Sequence, residues 1–470
     1  MAVVVPVPPY VLRNATVPVC VLHRSAASVL RPSDVDASGC ALVDITVDAG
    51  GVVTAVGPAA GARGDAAEAE VDLRAKLVLP TLCDLHTHID KGHTWKRSPN
   101  PDGSRDGAFT AAGADAQLYT EDDLRRRVDF SLRCAYAYGT SALRTHVVTL
   151  PGQAAWVWPI MAEARAKWAG RVELQLVGMV FLSLFAPGGA GPELAKLVAS
   201  HGGLLGGSLS QLTTEPEANK TSLAHESLAR QGGAHGGVRS PQFPDLLEAF
   251  FQAAVANDMD IDLHVDENGD DGADGLLLVA QTTILHGWQG RVTVGHVCAL
   301  ALLPEPQRVA TIAAVKAAKL NVVSLPTVNM YLQDRVAGRT PRWRGVTLLH
   351  ELSTAGVPVS VASDNTRDAF YQYGDLDMLE TFQQAVKIAH LDHPHGAWLT
   401  AVTSTPASAM GLPHGVLAPG RPADCIVTRA RNFNELLSRH AADRAVLRSG
   451  RQLTCGLPDY EELDDLMARA

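Results

Sequence analysis

Short apolar runs recur through the middle of the chain, and amphipathic stretches of helical period separate them. The runs are "LVLPTLCDLHTH", "TSALRTHVV", "VELQLVGMVF", "GLLGGSL", "MDIDLHVDE", "RVTVGHV", "LNVVSLPTV" and "VPVSVASDN". Between them stand segments such as "TEDDLRRRVDFSLRCAYAY", "FPDLLEAFFQAAVAND" and "PQRVATIAAVKAAK". Near-continuous apolar runs fit strands buried on both faces, and the 3.6-residue period fits helices packed over them. Eight such strands separated by helices predict an α/β fold, a (β/α)₈ barrel over residues 79–411. An open doubly wound sheet would need fewer strands and a glycine-rich first turn, and neither G-x-G-x-x-G nor a P-loop follows any run.

The two ends have a different texture. "YVLRNATVPVCVL" and "ALVDITVDAGGVVTAVG" near the start, and "GRPADCIVTRA" and "DRAVLRSGRQL" near the finish, are short β-rich pieces broken by glycine and proline. They predict a small β-sandwich domain assembled from residues 1–78 and 412–456. Residues 457–470 read as a tail with a short acidic helix. Residues 210–243 are polar and long for a βα connection, which predicts an insertion after the fourth strand, either a lid or an inert loop.

Composition narrows the class of function. The chain has 470 residues, 46% hydrophobic and 19% charged, enough for a large core. A formal net charge of −10 with scattered arginines leaves no footprint for nucleic acid. No run reaches the ~18 apolar residues of a membrane span. The start "MAVVVPVPPYVLRNATVPVCVL" lacks a basic leader region, and the seven cysteines form no CxxC pair. The expectation is a cytoplasmic enzyme or binding protein with reduced thiols, acting on a small molecule.

Chemistry gathers where such barrels place their active sites, at the carboxyl ends of the strands. In "LPTLCDLHTHIDKGH", residues 79–93, His86 and His88 close the first strand and share a face. His146 closes the second strand, His264 lies near the end of the fifth, His296 closes the sixth and Asp364 the eighth. So many imidazoles and carboxylates on one rim would cost several kcal/mol if buried unpaired, which favours a cation among them. His86, His88, His264 and Asp364 are the expected ligands of one divalent ion, Zn²⁺ or Fe²⁺, with a position left for water. Glu267, three residues after His264, is the expected proton shuttle. His296 is either a further ligand or the group that orients the attacking hydroxide, and the latter is preferred.

Taken together, "LHTHIDK", "LRTHVV", "IDLHVDE", "VTVGHV", "LPTVNMYLQDR" and "VASDNTRDAFYQYG" resemble the amidohydrolase superfamily, in its branch of cytosine deaminases and N-isopropylammelide hydrolases. The resemblance covers nearly the whole chain and implies a mononuclear metal site on a distorted barrel. It assigns metal to His86, His88, His264 and Asp364, proton transfer to Glu267 and hydroxide orientation to His296. In the expected mechanism Asp364 also acts in catalysis by accepting the hydroxide proton, and Asp90, Lys91, His93, His146 and Asn365 are candidates for substrate contacts. Two features depart from the cytosine deaminases: no glutamine stands in "VGMVFLSLF", and Asn365 replaces a second aspartate. The expected reaction is hydrolysis of a cytosine-like heterocycle to its keto product and ammonia. The alternative is removal of an amine from a triazine-like or other amino-heterocycle of the ammelide, isocytosine or creatinine type. Relatives of this architecture usually associate, so a homo-oligomer is expected.

Overall fold

The computed structural model describes residues 4–59, 69–209, 242–393, 395–439 and 444–468. Eight strands lie in sequential order in one sheet: β1 (Leu82–Thr87), β2 (Thr140–Val148), β3 (Glu173–Met179), β4 (Leu204–Ser208), β5 (Ile261–Val265), β6 (Val292–His296), β7 (Asn321–Ser324) and β8 (Val359–Val361). From β3 to β8 neighbouring strands pair in parallel. The ring closes just past β8, where Asp364 bridges Thr87 and its N–H donates to the His86 carbonyl at 2.9 Å. The predicted TIM-like barrel is therefore present, and its closing bridge lies among the expected site residues.

Helices alternate with the strands. They include α1 (Arg105–Asp115), α2 (Glu121–Tyr138), α3 (Ala154–Trp168), α4 (Gly191–Ser200), α5 (Phe243–Ala256), α6 (Gly275–Leu285), α7 (Glu305–Ala317), α8 (Pro326–Leu332), α9 (Leu349–Thr354) and α10 (Met378–Ala389). Local chemistry sets their ends. Ser104 caps α1 by accepting from the Gly107 N–H at 2.9 Å, and Glu121, Asp122 and Asp123 face the positive end of the α2 dipole. β1 is buried along its whole length and β2 nearly so, which is why their sequences do not alternate.

Two apolar runs are shorter as strands than their patterns implied. "LVLPTLCDLHTH" divides: Val78–Pro80 pairs antiparallel with Cys425–Thr428, and only Leu82–Thr87 enters the barrel. Pro80 has no N–H with which to carry a ladder onward. "LNVVSLPTV" stops at Ser324 because Pro326 opens α8, a position where its fixed φ and missing donor suit a helix start. The insertion expected at residues 210–243 lies outside the described residues as far as 241, and Phe243 already begins α5.

The chain divides into two compact units: Met1–Asp84 with Arg133–Ala142 and Asp377–Leu457, and Leu85–Leu132 with Leu143–Leu376 and Pro458–Ala470. The first holds two four-stranded sheets. One runs Val53–Pro58, Cys40–Val47, Tyr10–Pro18, Ala69–Asp72, and the other Arg451–Gln452, Arg444–Arg448, Cys425–Thr428, Val78–Pro80. The Tyr10 hydroxyl donates to the Gly450 carbonyl at 2.7 Å, joining the ends of the chain. In the second unit, helical turns at Tyr460–Leu463 and Asp464–Met467 bury Leu463, Leu466 and Met467. No helix among the described residues is long and apolar enough to cross a membrane.

Candidate active site

At the carboxyl ends of the strands the backbone itself is strained. His296, Val297, Asp364, Asp266 and His93 all have positive φ, between 43° and 70°. For non-glycine residues each such conformation costs on the order of 1–3 kcal/mol and persists only where the surroundings enforce it. In β6 the residue before His296 is Gly295, where an added Cβ would sit 3.0 Å from the His86 ring. A glycine is needed there for the His86 imidazole to take its place.

Five imidazoles converge on this rim. His86, His88, His146, His264 and His296 are all at most 6% exposed. His264 Nε2 lies 3.2 Å from His88 Nε2, which in turn lies 3.4 Å from Asp364 Oδ1. His86 Nε2 is 3.8 Å from the same carboxylate oxygen and makes no hydrogen bond. Burial, reinforced by neighbouring imidazoles and, at His88 and His264, by Lys91, holds His86, His88 and His264 well below the usual histidine range. The rings are therefore neutral, and these contacts are not ion pairs. A neutral imidazole nitrogen offers one proton or one lone pair, so His88 Nε2 cannot satisfy two partners at once. Neutral imidazoles beside a buried carboxylate, as in His86, His88 and Asp364, are donor types that could hold a divalent cation.

Among the described residues three overlapping groups could bind such an ion, and all contain His86: with His88 and Asp364, with His264 and His296, and with His146 and Asp262. The last is weakened as a cation site because Asp262 is already engaged. Arg144 Nη1 donates to Asp262 Oδ2 at 2.8 Å and to Thr293 Oγ1 at 3.2 Å, while its Nε reaches Gln175 Oε1 at 3.0 Å. Burial pushes the Asp262 carboxyl up to about 6 against that pairing. His146 Nε2 sits 3.1 Å from His86 Nδ1 and 3.6 Å from Asp262 Oδ1. Its contact is with the His86 nitrogen that does not face Asp364.

Glu267 stands beside this cluster. Arg105, at the start of α1, donates to Glu267 Oε2 and to the Glu267 carbonyl, both at 3.1 Å. Gln333 Nε2 donates to the same carbonyl at 3.3 Å. The other carboxylate oxygen is 3.7 Å from His296 Nδ1, and that nitrogen accepts a hydrogen bond from Asn329 Nδ2 at 2.9 Å. Burial, aided by Arg105, lowers His296 to about 3, so it too is neutral.

The remaining expected residues are placed as follows. The Asp90 Oδ2 accepts from the Val148 N–H at 2.8 Å, and its Oδ1 is buried without a hydrogen bond. Lys91 Nζ lies 4.2 Å from the centre of the Phe370 ring. Asn365 Nδ2 donates to Asp368 Oδ2 at 2.6 Å. His93 faces Phe130 and Tyr460, with ring centres 4.8 and 6.4 Å away, and neither of its nitrogens makes a hydrogen bond. Sequence reading missed Arg144, Asp262, Arg105 and Asn329. The first two were within reach, because Arg144 and His146, like Asp262 and His264, are two apart on one strand and share a face.

The Amidohydrolase family model matches residues 192–454. A pterin deaminase of Rhizobium rhizogenes is 43% identical over 460 residues, 97% of each chain. The chain belongs to the amidohydrolase family. Within the family, an N-isopropylammelide isopropyl amidohydrolase of a Pseudomonas species is 24% identical over 397 residues, 81% of this chain and 87% of that one. Among solved structures, a 5-methylcytosine deaminase from Klebsiella pneumoniae liganded with 5-fluorocytosine superimposes with a TM-score of 0.74 at 22% identity, covering 94% of this chain and 97% of that one. The two share this amidohydrolase fold.

Proposed function

We propose that the protein is a hydrolytic deaminase of an amino-pyrimidinone ring, of the fused pterin type in preference to free cytosine. What carries the chemical reading is one observation: Glu267 is held by Arg105 beside neutral His296 and next to the converging His88, His264 and Asp364. The ring class is supported by the pterin deaminase of similar length. The aminopyrimidinone half of a pterin has the isocytosine pattern, so this reading stays close to the cytosine-like one while changing which ring carbon bears the amine.

His86, His88, His264 and Asp364 would hold one divalent cation, Zn²⁺ or Fe²⁺, which when bound supplies a water acidified toward neutrality. The protein's own groups then move protons and position the ring. Glu267 carries a proton to the ring nitrogen beside the amino-bearing carbon. Asp364 takes the proton that the attacking water gives up. His296 donates from Nε2 to the oxygen at the attacked carbon; as the carbonyl forms, the proton held by Asp364 passes to the departing nitrogen, and Glu267 recovers from the remaining hydroxyl the proton it gave to the ring. Water and the C–NH₂ bond are thereby exchanged for C=O and ammonia. Asp90, Lys91 and Asn365 are assigned to substrate contacts. His146, fully buried against His86, and His93, against Phe130, are assigned to support of the site.

The test is ammonia release from pterin, isocytosine, cytosine, creatinine and ammelide, with metal content measured on the same sample. Pterin is expected to give the highest kcat/KM. Turnover of cytosine without pterin would overturn the fused-ring assignment, and ammonia release from ammelide alone would favour the triazine alternative.

A further inference from the structure

Asn329 is 1% exposed on α8, and its amide nitrogen is 2.9 Å from His296 Nδ1. An amide nitrogen only donates, so His296 Nδ1 must present a lone pair, and the single proton of the neutral ring must be on Nε2. That Nε2 is buried and makes no hydrogen bond to the protein. The same helix face reaches the neighbouring catalytic group. Gln333, four residues on, donates to the Glu267 carbonyl. Close packing holds this face in place: a Cβ at Gly345 would lie 2.3 Å from Gln333 Cγ and 3.4 Å from Asn329 Cβ.

We propose that Asn329 is a positioning residue that locks His296 in the Nε2–H tautomer, so that a hydrogen-bond donor faces the reacting oxygen where a lone pair would repel it. The proposal rests on the hydrolytic reading above. It assigns specific work to the Asn329 of "LPTVNMYLQDR": the asparagine acts only through His296, and aspartate in its place would have the opposite effect. A carboxylate has no proton to give to Nδ1. It would accept from Nδ1–H and leave a lone pair on Nε2.

The experiment is ¹⁵N NMR of histidine-labelled full-length protein, metal-free and metal-loaded, with His296 assigned by comparison with His296→Gln. Wild type should show an unprotonated Nδ1 and a protonated Nε2 at His296, and Asn329→Asp should exchange them. In the loaded enzyme Asn329→Asp should lower kcat about 10²–10³-fold, the cost of losing one donor to a developing oxyanion. KM and bound metal should stay unchanged. Asn329→Leu, which releases the ring without reversing it, should lose less. A wild-type His296 protonated on Nδ1 would overturn the proposal, as would wild-type kcat in Asn329→Asp. Should the protein deaminate none of the heterocycles, the hydrolytic reading fails, while the wild-type tautomer still tests the lock by itself.

Discussion

Around Arg97, in the unit that carries the site, four buried charged side chains satisfy one another. Arg97 donates to Asp115 at 2.6 Å and to Asp123 at 2.5 Å, and Arg127 donates to Asp123 at 2.7 Å and to the Asp90 carbonyl at 2.7 Å. Two positive and two negative groups cancel, and the geometry is closed. At the strand ends the same unit buries five neutral imidazoles whose hydrogen bonds do not close: one ring nitrogen of each makes no hydrogen bond. Both clusters are dense, polar and almost wholly inaccessible to water. What separates structural from functional burial here is whether the groups complete themselves or leave directed atoms for something else.

Predictions follow from attempts to erase that contrast. The largest effect belongs to the open cluster. His264→Ala should strip the cation and abolish turnover, read by metal analysis of purified protein, and full metal content in that variant would break the ligand assignment. Glu267→Gln should keep the metal and the fold while kcat falls about 10²–10⁴-fold, because it removes a proton carrier and nothing else. Near-normal turnover would remove Glu267 from the mechanism. The closed cluster should respond in the opposite currency. Asp123→Asn leaves two buried guanidinium groups short of a partner and should cost about 3–5 kcal/mol in chemical denaturation. The folded, metal-loaded fraction should keep its kcat, and a stability equal to wild type would show the cluster to be dispensable.

The smallest effect concerns His93. Burial lowers it from the ordinary histidine value of about 6.5 to about 3. The unfolded chain therefore takes up a proton that the folded one refuses. The stability linked to this group is present above about pH 6.5 and is lost as pH falls from there towards 3. His93→Asn, a residue that tolerates positive φ, should flatten the acid side of the stability–pH curve measured on metal-free protein. An unchanged slope would mean the ring charges in the folded state.

Much of the rim was legible because a barrel of buried strands tolerates polar residues at few places, and His86, His88, His264, His296 and Asp364 all stand where apolar runs end. Glu267 was legible by its spacing from His264. Arg105 was not, since it meets Glu267 from a helix 162 residues earlier in the chain. Nor was the division of the first apolar run, where the residues before Pro80 pair with Cys425–Thr428 from the far end of the sequence. His93 follows His88 by five residues and His146 closes the next strand, yet one turns to an aromatic pocket and the other to His86.

The sequence by itself determined the alternation of strand and helix, the closed ring that eight such repeats make, and the kinds of atom that its rim can offer. Tertiary structure alone decided which nitrogen of each imidazole faces inward, which carboxylates are already paired with arginines, and which side chains from distant helices hold Glu267 and His296 in place. Periodicity is local and survives in one dimension. Hydrogen-bond direction is a relation between groups that meet only after the chain has closed on itself.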